Sequence, residues 1–332
     1  MFKFQNLALL PWVYFFLLKN VNRQKKFIRN SLEEELNFFR NNKDGSLSAA
    51  DFKKINSYYA LGVPAILGES LAYLRGEQLT ERERSCLTYL GGISGLLDDL
   101  FDAPGKGAEH LKEFIQSPEK LYPSNSHEKL LLYFYKKGLT FSDHPEEIQK
   151  QAEKVYEAQQ LSLQQKDSFP SSESLNDIIY SKGGSSFIYY RLCLKDLPDK
   201  AEVDFLYHLG GLMQLGNDIF DVWEDHLSET QTAATICKNI NELRSHFFNE
   251  LNESFRLARK MNYDKKRVDN FLKIISLAIS RVFVCLDQFE NLQRSTGDRF
   301  IIKKYTRIQL ICDMQKSSNQ LKAIGWYLKN SN

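Results

Sequence analysis

The chain has 332 residues, 42% hydrophobic and 13% aromatic, which is enough to bury one large core or two ordinary ones. Its 44 Lys or Arg nearly balance 42 Asp or Glu, and a formal charge of +2 without long single-sign blocks argues against a nucleic-acid partner. Leu outnumbers Val by 45 to 9 and only 8 Pro occur, a bias that favours helix over strand.

From the N-terminus, Leu7 to Leu18 is strongly apolar, and Lys19, Arg23, Lys25, Lys26 and Arg29 follow it. That run is too short to span a membrane comfortably, and its basic flank lacks the small-residue cleavage site of a signal peptide. Residues 1–30 are expected to pack onto the body of the protein, residues 31–332, as a separate segment. The alternative is an interfacial helix that makes peripheral contact with a membrane. Cys86, Cys193, Cys237, Cys285 and Cys312 are scattered without a CxxC pair, which fits core thiols in a reducing, cytoplasmic setting.

Ser31 with Glu34 and Glu35 has the pattern of a helix start, carried through Phe39, and Asn41 to Ser48 reads as a polar turn. A helical pattern runs from Asp51 to Leu74 with a kink or break expected at Pro64. Thr80 and Glu83 form a capping-box pattern that opens a helix reaching Asp102, where Ala103 to Gly107 should stop it. Helices are expected over His110–Gln116, Ser126–Leu139 and His144–Lys166. Another is expected over Ser171–Leu194, interrupted at Gly183-Gly184. Asp199–Leu227 and two or three long helices over Ile240–Leu328 complete the chain. No alternating strand pattern persists and no internal repeat is found, so a single all-α domain, an antiparallel bundle with short connections, is expected.

Two acidic stretches carry the chemistry: Asp98-Asp99-Leu100-Phe101-Asp102, and Asn217-Asp218-Ile219-Phe220-Asp221-Val222-Trp223-Glu224-Asp225. Asp98 and Asp102 are spaced i, i+4 and share a helix face, and Asn217, Asp221 and Asp225 repeat that spacing over two turns. Apolar residues surround both motifs, so these segments are expected to be inner helices whose carboxylates need a compensating cation. No Lys or Arg stands three or four positions from Asp98, Asp99, Asn217, Asp221 or Asp225; Lys106, four after Asp102, lies past Pro104 in the expected stop. Two such faces turned toward each other would hold divalent metal ions and, through them, a diphosphate. Hard oxygen donors suit Mg²⁺. Zinc would want His or Cys, and a di-iron bundle would want Glu-x-x-His, which none of the six histidines provides.

At these residues the chain resembles the class I isoprenoid synthases, the all-α superfamily of prenyl-diphosphate, terpene and squalene/phytoene synthases. Asp98-Asp99-x-x-Asp102 matches the first aspartate-rich motif of that superfamily. Met213 to Asp221 resembles the second motif of prenyl-diphosphate synthases, whereas Gln214 to Asp225 resembles that of phytoene synthases. Asn217, Asp221 and Asp225 also occupy the Asn, Ser/Thr, Glu spacing of terpene synthases. The resemblance implies a helical bundle with a central active-site cavity. It implies three Mg²⁺ ions held by Asp98, Asp99, Asp102, Asn217, Asp221 and Asp225, a prenyl diphosphate substrate and a homodimer. Tyr180-Ser181-Lys182-Gly183-Gly184 is similar in position to a segment whose Lys binds diphosphate, and the glycines are expected to open the helix toward substrate. Lys182, Gln214 and Arg191 are thereby substrate-binding candidates. Phe101, Phe187, Tyr190, Phe220 and Trp223 are candidates for an aromatic wall around a cation. Arg299, Lys303, Lys304, Tyr305 and Arg307 form a basic-aromatic cluster able to cap the diphosphate.

The reaction implied is ionisation of an allylic diphosphate, with Asp98, Asp102, Asn217, Asp221 and Lys182 carrying it. Before and after the first motif, Leu74-Arg75-Gly76-Glu77 and Ala103-Pro104-Gly105-Lys106 depart from the acceptor-binding segments of chain-elongating synthases. A terpene synthase or cyclase is therefore the first expectation. A squalene/phytoene-type or elongating prenyltransferase is the second. A helical protein that binds a prenyl lipid without turnover is the non-enzymatic alternative.

Overall fold

The computed structural model describes residues 4–41, 44–102, 107–166 and 171–330; the side chains at positions 4, 5, 102, 107–110, 172 and 330 lie outside that description. Among the described residues the chain is all-α, without a strand. The α-helices of six residues or more among the described residues are α1 Phe4–Phe27, α2 Glu33–Arg40, α3 Glu69–Arg75, α4 Glu81–Gly92, α5 Ser94–Asp102, α6 Gly107–Gln116 and α7 Ser126–Thr140. They continue as α8 Pro145–Ser162, α9 Ser172–Arg191, α10 Lys200–Phe220, α11 Val222–Leu227, α12 Ile240–Ala258, α13 Lys265–Ser295 and α14 Ser317–Asn330.

Local chemistry explains several starts. Thr80 and Glu83 close the expected capping box: the Glu83 N–H donates to Thr80 Oγ1 at 3.2 Å and the Thr80 N–H to Glu83 Oε2 at 2.9 Å. Asp199 caps α10 by accepting from the Glu202 N–H at 2.8 Å. Ser31 does not start a helix. A π-helical turn over Ile28–Leu32 joins α1 directly to α2, and Glu35 turns to Lys137 and to the Tyr89 hydroxyl instead of capping. The expected division at residue 30 thus falls inside continuous helical backbone.

Pro64 sits in a π-helical turn over Val63–Gly68, one of two such turns between Lys54 and Gly68. The wider turn absorbs the missing donor without ending the helical path. The stop expected at Ala103 to Gly107 falls on residues 103–106, outside the described ones, and helix resumes at Gly107.

Gly183 and Gly184 do not interrupt α9. A Cβ on Gly183 would lie 2.0 Å from the Gly210 carbonyl oxygen, and one on Gly210 would lie 2.2 Å from that of Gly183. The glycines let two helix backbones, α9 and α10, touch where side chains would hold them apart. The break occurs elsewhere, at Asp221, which ends α10 and begins α11 with φ −93° and ψ 13°.

The chain divides into two compact units, one comprising Met1–Trp12, Ala158–Phe187 and Asp199–Asn332, the other Val13–Glu157 and Ile188–Pro198. In the first, α10 buries Phe205, Leu206, Leu209, Leu212, Leu215 and Ile219 and packs against α12 and α13, while α14 covers α13. Each such side chain removed from water contributes about 1.5–3 kcal/mol. In the second unit α4 is central, with all its residues from Glu83 to Gly92 buried, and it packs against α7. Its Arg84 pairs with buried Glu69 and donates to Gln24 Oε1 at 2.7 Å, while Gln24 donates to the Ala60 carbonyl and to Thr88 Oγ1 at 2.8 Å each. That network docks the C-terminal part of α1. Near its other end, Asn6 accepts from Lys273 Nζ at 2.6 Å. No described helix is long and apolar enough to cross a membrane.

Candidate functional site

The second acidic motif lies at the junction of α10 and α11, and the four-residue spacing survives the bend. The Asp221 N–H donates to the Asn217 carbonyl and the Asp225 N–H to the Asp221 carbonyl, both at 2.9 Å. Leu215, Ile219 and Val222 are buried on the core side, whereas Asn217 is exposed and Asp221 and Asp225 are half-buried. The motif therefore forms a rim, apolar beneath and polar above. Asn217 Nδ2 donates to Asp221 Oδ2 at 2.8 Å.

Asp218, not one of the expected ligands, is the most deeply placed acid of the motif at 4% exposure. Gln214 Nε2 donates to its Oδ1 at 2.8 Å, but its Oδ2 is buried without a hydrogen-bond partner. Burial pushes the Asp218 carboxyl up to about 6, with Asp221 adding to the shift while Gln214 and the Lys182 ammonium oppose it. Burial also raises Asp225, to about 7, and repulsion from Asp218 and Asp221 adds to it. Asp221 is raised by burial and by Glu224, against the Asn217 hydrogen bond. Three carboxyl groups crowd one another at a half-buried rim, and the group is short of positive charge.

Lys182 precedes the glycine contact between α9 and α10, and its charge acts on Asp218 and Asp225 at the rim. Gly183 presses on Gly210 and on the Gln214 Cβ. Tyr180 points elsewhere: its hydroxyl donates to Glu250, and its ring lies 5.1 Å from that of His208. Arg307 approaches from the C-terminal basic cluster and stands 3.7 Å from Glu224. Tyr305 of that cluster is buried, with its hydroxyl 2.6 Å from Thr296 Oγ1, so it braces the loop. Phe187, Phe220 and Trp223 are all half-buried.

The first motif stands in the other unit, on α5. Leu96 and Phe101 are buried, Asp98 is half-buried, and Phe101 packs edge-on to Tyr156 at 6.0 Å. Tyr190 lies beside Asp98: its hydroxyl is 2.7 Å from Ser94 Oγ, and burial, aided by the Asp98 charge, holds the phenol well above its usual range. Asp99 is exposed and ion-paired with Lys54, 2.7 Å from Nζ to Oδ1. The cation missing at helical spacing is thus supplied from 45 residues away. Asp102 ends α5, and its side chain is outside the described ones. Arg191 is 1% exposed, and its guanidinium donates to the Asp196 carbonyl at 2.5 Å. That hydrogen bond ties the end of α9 to the turn that follows it and turns the charge inward.

The α10–α11 rim offers oxygen donors, one of them a buried carboxylate oxygen without a hydrogen-bond partner, and burial raises the carboxyl groups there, with repulsion between neighbouring carboxylates adding to it. That donor chemistry fits a hard divalent cation. Among the described residues no group of three or more His, Cys, Asp or Glu is arranged to enclose a metal ion by itself. Mg²⁺ commonly takes one or two carboxylates and completes its shell with water and substrate phosphate, so the two observations agree.

The sequence matches no family model and no curated protein.

Proposed function

We propose that this protein is a magnesium-dependent enzyme of the class I isoprenoid synthase type, with the helical bundle and active-site cavity of that superfamily. Its reaction is ionisation of an allylic prenyl diphosphate to give a terpene product. The observation that carries the reading is the rim of Asp218, Asp221 and Asp225, short of positive charge and bordered by Lys182. The i, i+4 pair Asp98 and Asp102 on α5 supports it as the first of the two acidic motifs of that pattern.

Asn217, Asp221 and Asp225 would hold magnesium at the rim, and the Asp218 carboxylate would add negative charge beneath them. Asp98 and Asp102 would do the same from α5. When bound, magnesium supplies electrostatic neutralisation of the departing diphosphate. Gln214 holds the Asp218 carboxylate in one orientation. Lys182 offers a further positive charge to the leaving group, which matters most as the carbon–oxygen bond breaks. Phe187, Phe220 and Trp223 are aromatic candidates for shielding an allylic cation from water at the α10–α11 rim, and Phe101 and Tyr190 are separate candidates near Asp98.

Incubation of the purified protein with magnesium and each of the C10, C15 and C20 allylic diphosphates, with and without isopentenyl diphosphate, tests the reading by mass spectrometry. Hydrocarbon or alcohol formed from one allylic substrate alone supports it. Product formed only with isopentenyl diphosphate would replace it with chain elongation. Inactivity with every substrate, at every magnesium concentration, would sink it.

A further inference from the structure

We propose that α1 lies along the surface of an anionic lipid bilayer, bound to it without crossing it. The helix has two sides of different fate. Asn6, Val13, Asn20 and Gln24 are buried along one side. On the other, Leu7 is 54% exposed, Tyr14 38%, Phe15 66% and Leu18 60%. Leu7, Tyr14 and Leu18 recur at helical intervals that continue to Lys25, so one continuous stripe is apolar for its first four turns and basic after them.

An apolar stripe of that length facing water is unfavourable unless something covers it. Charge identifies the cover. Residues 1–32 contain six Lys or Arg and no Asp or Glu, although the whole chain is only +2. Arg23 is spoken for by Glu69, at 3.6 Å, but Lys25 and Lys26 remain exposed at the basic end of the stripe. A bilayer of anionic lipid matches both halves, with acyl chains against Leu7, Phe15 and Leu18 and headgroups against the lysines. A second copy of the chain would bring the same acid-free basic stretch and no complementary charge. Crossing the bilayer is ruled out for α1, since no described helix is long and apolar enough. A synthase acting on prenyl chains would gain access to lipid-borne product there, but the inference stands on α1 alone.

The test is co-sedimentation of the full chain with vesicles of phosphatidylcholine, alone or with about a third phosphatidylserine. Binding is expected to the anionic vesicles, falling steeply as salt shortens the range of the charge attraction. A Phe15→Glu, Leu18→Glu variant should lose it. Lys25→Glu, Lys26→Glu, which leaves the apolar stripe intact, should weaken it about tenfold or more. All four side chains are exposed, so circular dichroism and the melting temperature should stay unchanged. If the apolar variant misfolds, the lysine variant decides. The proposal fails if the parent ignores anionic vesicles, binds neutral ones equally, or binds undiminished after the lysine substitutions. It fails equally if light scattering finds a dimer that Leu18→Glu splits and vesicles do not displace.

Discussion

Gln214 donates its side-chain amide to one oxygen of Asp218 at 2.8 Å, and the other oxygen of that carboxylate is buried with no partner. One hydrogen bond compensates only part of the desolvation of a carboxylate. The remaining deficit is what a bound cation would remove, and it makes the candidate site testable even before a substrate is known.

Asp218 and Asp225 have folded-state pKa values of about 6 and about 7, raised above an ordinary aspartate value of 3.8. A raised acid is protonated in both states below pH 4 and adds no penalty there. Between about pH 4 and pH 7 the unfolded chain releases protons that the folded chain retains, so stability falls as pH rises. In chelator, urea denaturation should show that fall. Asp218→Asn should recover on the order of 2 kcal/mol at pH 8 and nothing below pH 4. Loss of stability at pH 8 in that variant would contradict the charge deficit. Magnesium should raise the parent's melting temperature at pH 8 and act less on the variant.

Turnover of an allylic diphosphate should fall about a hundredfold or more in Asp221→Ala and in Asp98→Ala, since each removes charge that would hold the activating cation. Lys182→Met should reduce kcat by at least about tenfold with a smaller change in KM, because its charge matters most as the bond breaks. Arg191→Lys should leave kcat within about twofold and lower the melting temperature, since its buried guanidinium ties the end of α9 to the Asp196 carbonyl in the following turn. Steady-state kinetics separates these outcomes. A large kcat loss for Arg191→Lys with unchanged stability would return that residue to the site.

Gly183→Ala should destabilise by roughly 3 kcal/mol, because the added methyl would meet the Gly210 carbonyl oxygen at 2.0 Å. Gly325→Ala is the control. Nothing lies within 4 Å of its Cβ position in α14, and the substitution should be neutral or stabilise by up to about 1 kcal/mol. Urea midpoints of the two variants give the comparison.

Arg84→Met should cost about 3 kcal/mol, since it removes the nearest cation from buried Glu69 and leaves only Arg23, at 3.6 Å. Adding Glu69→Gln should recover part of the loss. A double-mutant cycle measures that coupling, and simple additivity would show that the two side chains do not act as a pair.

Features that act within one or two helical turns were legible in the sequence. The Thr80–Glu83 capping box, the helical periodicity and the i, i+4 ladder of Asn217, Asp221 and Asp225 are set by hydrogen bonds and spacings of a few residues. Asp218 could have been read too, since it stands in the second Asp position of the prenyl-synthase pattern. Ser31 and the Gly183-Gly184 pair misled because cap-like and breaker-like residues also serve inside continuous helices, once a π turn or a close crossing takes them up.

By itself, then, the sequence determined an all-helical chain, the spacing of its acidic faces and an apolar run followed by a basic one near the N-terminus. Only the tertiary structure decided which charges meet. Asp99 is neutralised by Lys54, Arg191 is turned inward onto a carbonyl, and the Lys182 charge acts on Asp218 and Asp225 where Gly183 lets two backbones touch. The reason is physical. A helix's own hydrogen bonds set which residues share a face, but the partner of that face depends on how side-chain volumes tens of residues apart let helices approach.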